Sequence, residues 1–274
     1  MKRFSPLLLL TVPYWLWIQR PPGPPHLDAT SLYPFVYAGL SLLVFVPAGW
    51  WLFQLDRDDC RTSLSRVAWS SVGGIALVHL LTEAMGYPGL ARLFLDGPAG
   101  FAFSGVGLAN SVKDVESLPL WVSILGYTLG VGLTEEAAKA IAARPDIIDG
   151  MRTRAAFGFM AGLGFGVSEA VQYSFLHYLP EQADWGVYFL RYSFCVGFHA
   201  CMSAIAVLSL PEDWWDWERW WVTALRLLPI AFLHGAYDAL LVRAHPFWAG
   251  LVATATILAL PILLWAEEDL GGQV

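Results

Sequence analysis

LWVSILGYTLGVGLTEEAAKAIAA, residues 120–143, decides what kind of chain this is. From Leu120 to Thr134 no residue is charged, and then Glu135, Glu136 and Lys139 follow within two helical turns. A stretch this long and this apolar meets the need of a membrane helix, which takes roughly 20 mostly apolar residues. Three ionisable groups inside it are costly, since a charge near the bilayer centre costs about 2.5–3.5 kcal/mol on insertion scales. The segment therefore predicts a membrane span, and its charges ask for a use.

Working outward, the same combination recurs. Residues 155–178 carry Glu169, residues 186–210 carry Arg191 and His199, and residues 221–243 carry Arg226, His234 and Asp238. Further apolar stretches lie at about 4–18, 32–55, 66–86 and 246–266. The expected architecture is an all-α, polytopic bundle of about eight spans, folded as a single integral membrane domain over 1–274 with its motif-bearing core at about 119–243. The short first stretch contains Pro13 and is followed by no small-residue cleavage site, so it is read as an anchor rather than a signal peptide. Residues 87–118, rich in Gly and Pro, read as an external loop with a re-entrant or interfacial piece.

Composition agrees. Hydrophobic residues make up 57% of the chain and charged residues 14%, against about 45–50% and about 25% in ordinary soluble domains. Tryptophans near the predicted helix ends, such as Trp50, Trp51, Trp220 and Trp221, fit interfacial belts. A net charge of -7 disfavours nucleic acid as a partner. Nor is there a basic cluster to grip anionic lipid. Cys60, Cys195 and Cys201 form no CxxC pair, which speaks against a disulfide framework or a zinc knuckle. Lys2, Arg3, Arg57, Arg61, Arg66, Arg144, Arg152, Arg154 and Arg219 fall on one side of the predicted topology. The positive-inside rule makes that side cytoplasmic, with both termini inside, in the plasma membrane.

Depth and helical spacing sort the charged groups. Glu135 lies roughly 12 Å into its span at 1.5 Å per residue, and Glu169, His199, His234 and Asp238 are expected in the same slab. Glu135 and Lys139, four apart, share a face. Glu136 is rotated by about 100° from Glu135, so one acid is expected to face a reaction centre and the other to support it. Arg191, Cys195, His199 and Ser203 form one stripe, and Phe165, Glu169 and Tyr173 another. Gly158, Gly162 and Gly166, with Gly126 and Gly130, suggest close packing of the fourth and fifth spans, because small residues at four-residue intervals let membrane helices approach. Structural ion pairing is the bland explanation for any one of these charges.

Carboxylates with two histidines in a water-poor pocket suit two hydrolytic schemes. In one, a Glu is the general base on water and a His or Lys stabilises the oxyanion. In the other, Glu169, His199 and His234 hold one divalent metal, zinc being the expected ion, and Glu135 or Glu136 is the base. Spacing does not choose between them. Neither HExxH nor GxSG is present, and Tyr237-Asp238 stands without a GxGD partner.

Taken together, these residues resemble the PrsW family of intramembrane proteases, related to the CAAX-processing and bacteriocin-immunity membrane proteases. The EExxK motif reads Glu135-Glu136-Ala137-Ala138-Lys139 and FxxxE reads Phe165 through Glu169. A histidine on the next span matches His199, and HxxxD runs from His234 to Asp238. Asp56-Arg57-Asp58-Asp59 is similar to the family's early charged run, without its usual Glu-Pro repeat. The resemblance covers about residues 32–243. It implies hydrolysis of a peptide bond in a membrane-anchored protein, such as an anti-sigma-factor-like regulator, with Glu135, Glu136, Lys139, Glu169, His199, His234 and Asp238 as catalytic residues. The alternatives are a non-catalytic scaffold on the same fold and a proton-coupled transporter. The second lacks the internal repeat that transporters often show.

Overall fold

The structure is a computed structural model that describes residues 32–86, 119–144, 150–178, 185–211, 214 and 220–271. The predicted first span at 4–18 and the loop at 87–118 lie outside these residues, as do the side chains of His79, Glu83 and His177. Among the described residues the chain is helical, with no strand. Its helices are α1 (Tyr33–Phe53), α2 (Arg57–Gly86), α3 (Leu120–Tyr127), α4 (Leu133–Ala143), α5 (Met151–Tyr173), α6 (Trp185–Leu190), α7 (Val196–Ser209), α8 (Trp220–Val242) and α9 (Pro246–Gly271). Among the described residues, four helical stretches are long and apolar enough to cross a membrane: Tyr33–Phe53, Trp185–Ser209, Trp221–Val242 and Pro246–Trp265.

Three π-helical turns interrupt the regular period: Thr128–Gly132 joins α3 to α4, Ser174–Tyr178 extends α5, and Arg191–Cys195 joins α6 to α7. A π-turn closes i→i+5 bonds and so takes up one extra residue, often beside a functional site. Here one such turn lies just before Glu135, one just after Glu169 and one just before His199.

The chain packs as two compact units. The first draws on residues 1–75, 139–208 and 254–274, and the second on 76–138 and 209–253. In the first unit α5 is the central helix, buried at every position from Ala155 to Ala170. Helix α1 lies along it, with Phe53 edge-on to Phe159 at 5.5 Å. The outer face of α1 exposes Phe35, Val36, Leu40, Leu43, Val44 and Trp51, as a lipid-facing helix must. Asp56 caps α2: its Oδ1 accepts the N–H groups of Asp58 and Asp59 at 2.9 and 2.8 Å. The early charged run is thus a helix start, with two acids in the first turn favoured by the helix dipole.

The glycine stripe has a different partner from the one expected. Four-residue spacing leads one to expect the fourth span on it; the structure seats α7 there. A Cβ at Gly158 would come within 2.6 Å of the Ser203 carbonyl oxygen, and one at Gly162 would overlap the carbonyl of His199. These glycines let the backbone carrying His199 press directly on the helix carrying Glu169. In the second unit the fourth span uses Gly132 against Ala231 of α8, while Gly235 of α8 meets Thr128. The partner of a small-residue face depends on what approaches it, which four-residue spacing does not encode.

Candidate active site

In the first unit four side chains form a continuous chain of contacts. Lys139, fully buried, places Nζ 2.9 Å from His199 Nδ1. His199 Nε2 lies 2.9 Å from Glu169 Oε2, and Arg191 Nη2 lies 2.8 Å from Glu169 Oε1. An ammonium only donates, so His199 Nδ1 accepts from Lys139. The ring proton then sits on Nε2, facing Glu169, while Arg191 forms an ion pair with the carboxylate's second oxygen. Both nitrogens of His199 and both oxygens of Glu169 are engaged.

Aromatic rings hold the two cations. Lys139 Nζ lies 4.5 Å above the Phe165 ring and the Arg191 guanidinium 4.5 Å above Tyr173, within the range in which a ring face attracts a cation. The shared face expected of Phe165, Glu169 and Tyr173 is therefore present, and two of its members are platforms. Of the expected stripe, Arg191 and His199 meet at Glu169, and Ser203 is buried.

The second unit gathers acids around His234. Glu136, fully buried, places Oε1 3.0 Å from His234 Nδ1. A carboxylate accepts, so Nδ1–H donates and the ring is fixed in that orientation. Nε2 faces Glu135 Oε2 at 3.7 Å and Asp238 Oδ2 at 3.5 Å, both longer than a good hydrogen bond. Glu136 thus supports the histidine while Glu135 lies on its reactive side, which distinguishes the two adjacent acids. Asp238 is the wettest of the group, its side chain 24% exposed.

A neutral His234 would aim a lone pair at two carboxylates. Acids gathered this closely about an imidazole suit a shared proton or a bound cation, because burying like charges together is expensive. The donor set, histidine with carboxylates, is the kind that divalent zinc takes. Among the described residues of this unit, Glu135 and His234 are side chains that could help hold a metal ion.

The cysteines offer no competing nucleophile. Cys195 and Cys201 are buried. Burial, with Asp56 and Asp59 nearby, pushes the Cys60 thiol up, the opposite of what a thiolate nucleophile needs. Arg226, a charge inside a predicted span, proves structural: its guanidinium reaches the Ser209 carbonyl at 3.4 Å on an exposed face.

The first unit thus carries a buried histidine–carboxylate–lysine chain and the second an acid-rich histidine, residue types suited to hydrolysis. Comparison with protein families matches residues 88–266 to PrsW, described as a family of intramembrane metalloproteases. The match spans more than half of the chain, and the protein belongs to the PrsW family. It is accordingly an integral membrane enzyme, a peptide hydrolase acting on protein. No curated protein matches the chain. No solved structure matches it either.

What the sequence did not disclose is the π-turns. The turn at 128–132 contains Gly130 and Gly132, a weak sign of irregular backbone, whereas Arg191-Tyr192-Ser193-Phe194-Cys195 contains neither Gly nor Pro.

Proposed function

We propose that the chain hydrolyses a peptide bond of a membrane-anchored protein within or at the edge of the bilayer, with Glu135, Glu136, Lys139, Glu169, His199, His234 and Asp238 as its working groups. The observation that carries the reading is His234, clamped at Nδ1 by Glu136 and presenting Nε2 to Glu135 and Asp238.

In this reading His234, with the carboxylate of Asp238, would hold a divalent ion, zinc fitting the donor set best, and Glu135 is kept for the role of base. Bound there, the ion supplies Lewis acidity toward water and the scissile carbonyl. Glu136 keeps the His234 ring oriented through Nδ1. Glu135 takes the proton from the attacking water and delivers it toward the leaving amine, as a positioned carboxylate does. Lys139, donating to His199 Nδ1, and Glu169, facing Nε2 at 2.9 Å, fix the His199 ring and its tautomer. Of the expected metal ligands Glu169, His199 and His234, this reading places the ion at His234, while Glu169 and His199 pair with each other at 2.9 Å.

The further expectations belong with this proposal: about eight spans, both termini cytoplasmic, location in the plasma membrane, and an anti-sigma-factor-like regulator as the substrate. They are supported by the apolar stretches, by the Lys and Arg asymmetry of the loops and by the resemblance to the family. The test is cleavage of a single-span, membrane-anchored substrate by the purified protein in proteoliposomes. Wild-type protein cleaves it, whereas Glu135→Ala and His234→Ala do not. Full activity of both variants would overturn the proposal.

A further inference from the structure

We propose that Arg191 is a positioning residue for the hydrolytic reaction: it pins one oxygen of Glu169 so that the other orients the His199 ring. This rests on the hydrolase reading above. Three observations carry it.

First, the carboxylate of Glu169 is divided between two partners, Oε1 to Arg191 at 2.8 Å and Oε2 to His199 at 2.9 Å. With both oxygens held, the carboxylate cannot rotate, and the direction from which it meets Nε2 is fixed. Second, the guanidinium is itself immobilised. It stacks 4.5 Å above Tyr173, and the Arg191 side chain is only 12% exposed. Arginine's planar, rigid fork loses less freedom per bond than a lysine ammonium would.

Third, the helix is built to bring Arg191 there. At about 100° per residue, eight residues of α-helix turn through about 800° and leave Arg191 about 80° away from the face of His199. The π-turn at Arg191–Cys195 takes up one residue. The rotation falls to about 700°, and the two side chains lie within about 20° of a common face. Simple neutralisation of Glu169 requires no such register, since a cation anywhere around the carboxylate would serve.

The experiment is a double-mutant cycle between Arg191→Gln and Glu169→Gln, with kcat and KM measured separately in proteoliposomes on a membrane-anchored substrate. Groups that orient another group this way change rates by about 10–100-fold when removed. Arg191→Gln is expected to lower kcat by about that factor, with KM within about twofold and zinc content unchanged. Arg191→Lys should fall between it and wild type. In the Glu169→Gln background the Arg191 substitution should be nearly silent, because its only route to the reaction is gone. Losses that multiply in the double variant, or an unchanged kcat in Arg191→Gln, would overturn the positioning role. Should Arg191→Gln not fold, Tyr173→Leu loosens the guanidinium without removing its charge. It is expected to lower kcat several-fold, again only when Glu169 is present; additivity there would be equally fatal. Glu135→Ala run alongside separates the two ideas. If it stays active, the hydrolase reading fails; if it is dead and the cycle is additive, only the role of Arg191 fails.

Discussion

His199 lies between an ammonium and a carboxylate, and a guanidinium closes the carboxylate's far side. His234 has acids on both ring nitrogens in its own unit, Glu136 on Nδ1 and Glu135 with Asp238 toward Nε2. The first set places two cations, Lys139 and Arg191, beside the one carboxylate of Glu169. The second gathers three carboxylates about one imidazole. A carboxylate beside cations is held in a low-dielectric interior as an ion pair, whereas carboxylates about an imidazole are donors of the kind a divalent cation takes. Under the proposed function, His and Glu serve as a proton-handling pair in the first unit and as a cation site in the second.

That contrast can be broken most sharply at Glu135. If it is the base, Glu135→Gln should lower kcat by about 10²–10⁴-fold, the usual range for a general base. Glu136→Gln should be milder if its role is to hold His234, about 10–100-fold and accompanied by weaker zinc retention. Equal losses with equal zinc content would erase the distinction between the two acids.

The next effect lies in the backbone of the first unit. Inserting one alanine after Ser193 adds a residue that the π-turn does not absorb and rotates Arg191 by about 100° from the face of His199. We expect kcat to drop at least as far as in Arg191→Gln, measured in the same proteoliposomes. Wild-type kcat would mean that the π-turn has no part in the site.

Packing gives the smaller effects. Gly162→Ala drives a methyl group into the His199 carbonyl. It should destabilise the protein by about 1–3 kcal/mol, the usual range for overpacking. Gly39→Ala meets no neighbour within 4 Å and should stabilise the helix by about 0.5–1 kcal/mol. Unfolding in detergent, followed by circular dichroism, checks both. A neutral Gly162→Ala would show that α5 and α7 are not in close backbone contact.

Much of this was readable in advance, for identifiable reasons. Charge inside apolar helices is costly enough that Glu135, Lys139, Glu169, His199 and His234 stand out wherever they occur, and each sits buried in the structure. The i, i+4 relation of His234 and Asp238 holds because α8 is regular there. The glycine faces were legible as close contacts, but their partners were not: Gly162 meets α7, and Gly132 meets α8. The register of Arg191 was hidden too, because a π-turn without Gly or Pro leaves no mark in composition. The separate roles of Glu135 and Glu136 followed only from which of them reaches His234 Nδ1, a matter of side-chain direction.

The central claim is that the acid-ringed histidine holds the metal and the cation-balanced one does not. Zinc content of purified, active protein, measured by elemental analysis in His234→Ala and His199→Ala beside wild type, tests it directly. The account predicts about one zinc per chain in wild type and in His199→Ala, and none in His234→Ala. Loss of zinc in His199→Ala with retention in His234→Ala, or a fully active wild type that holds no metal, would contradict it.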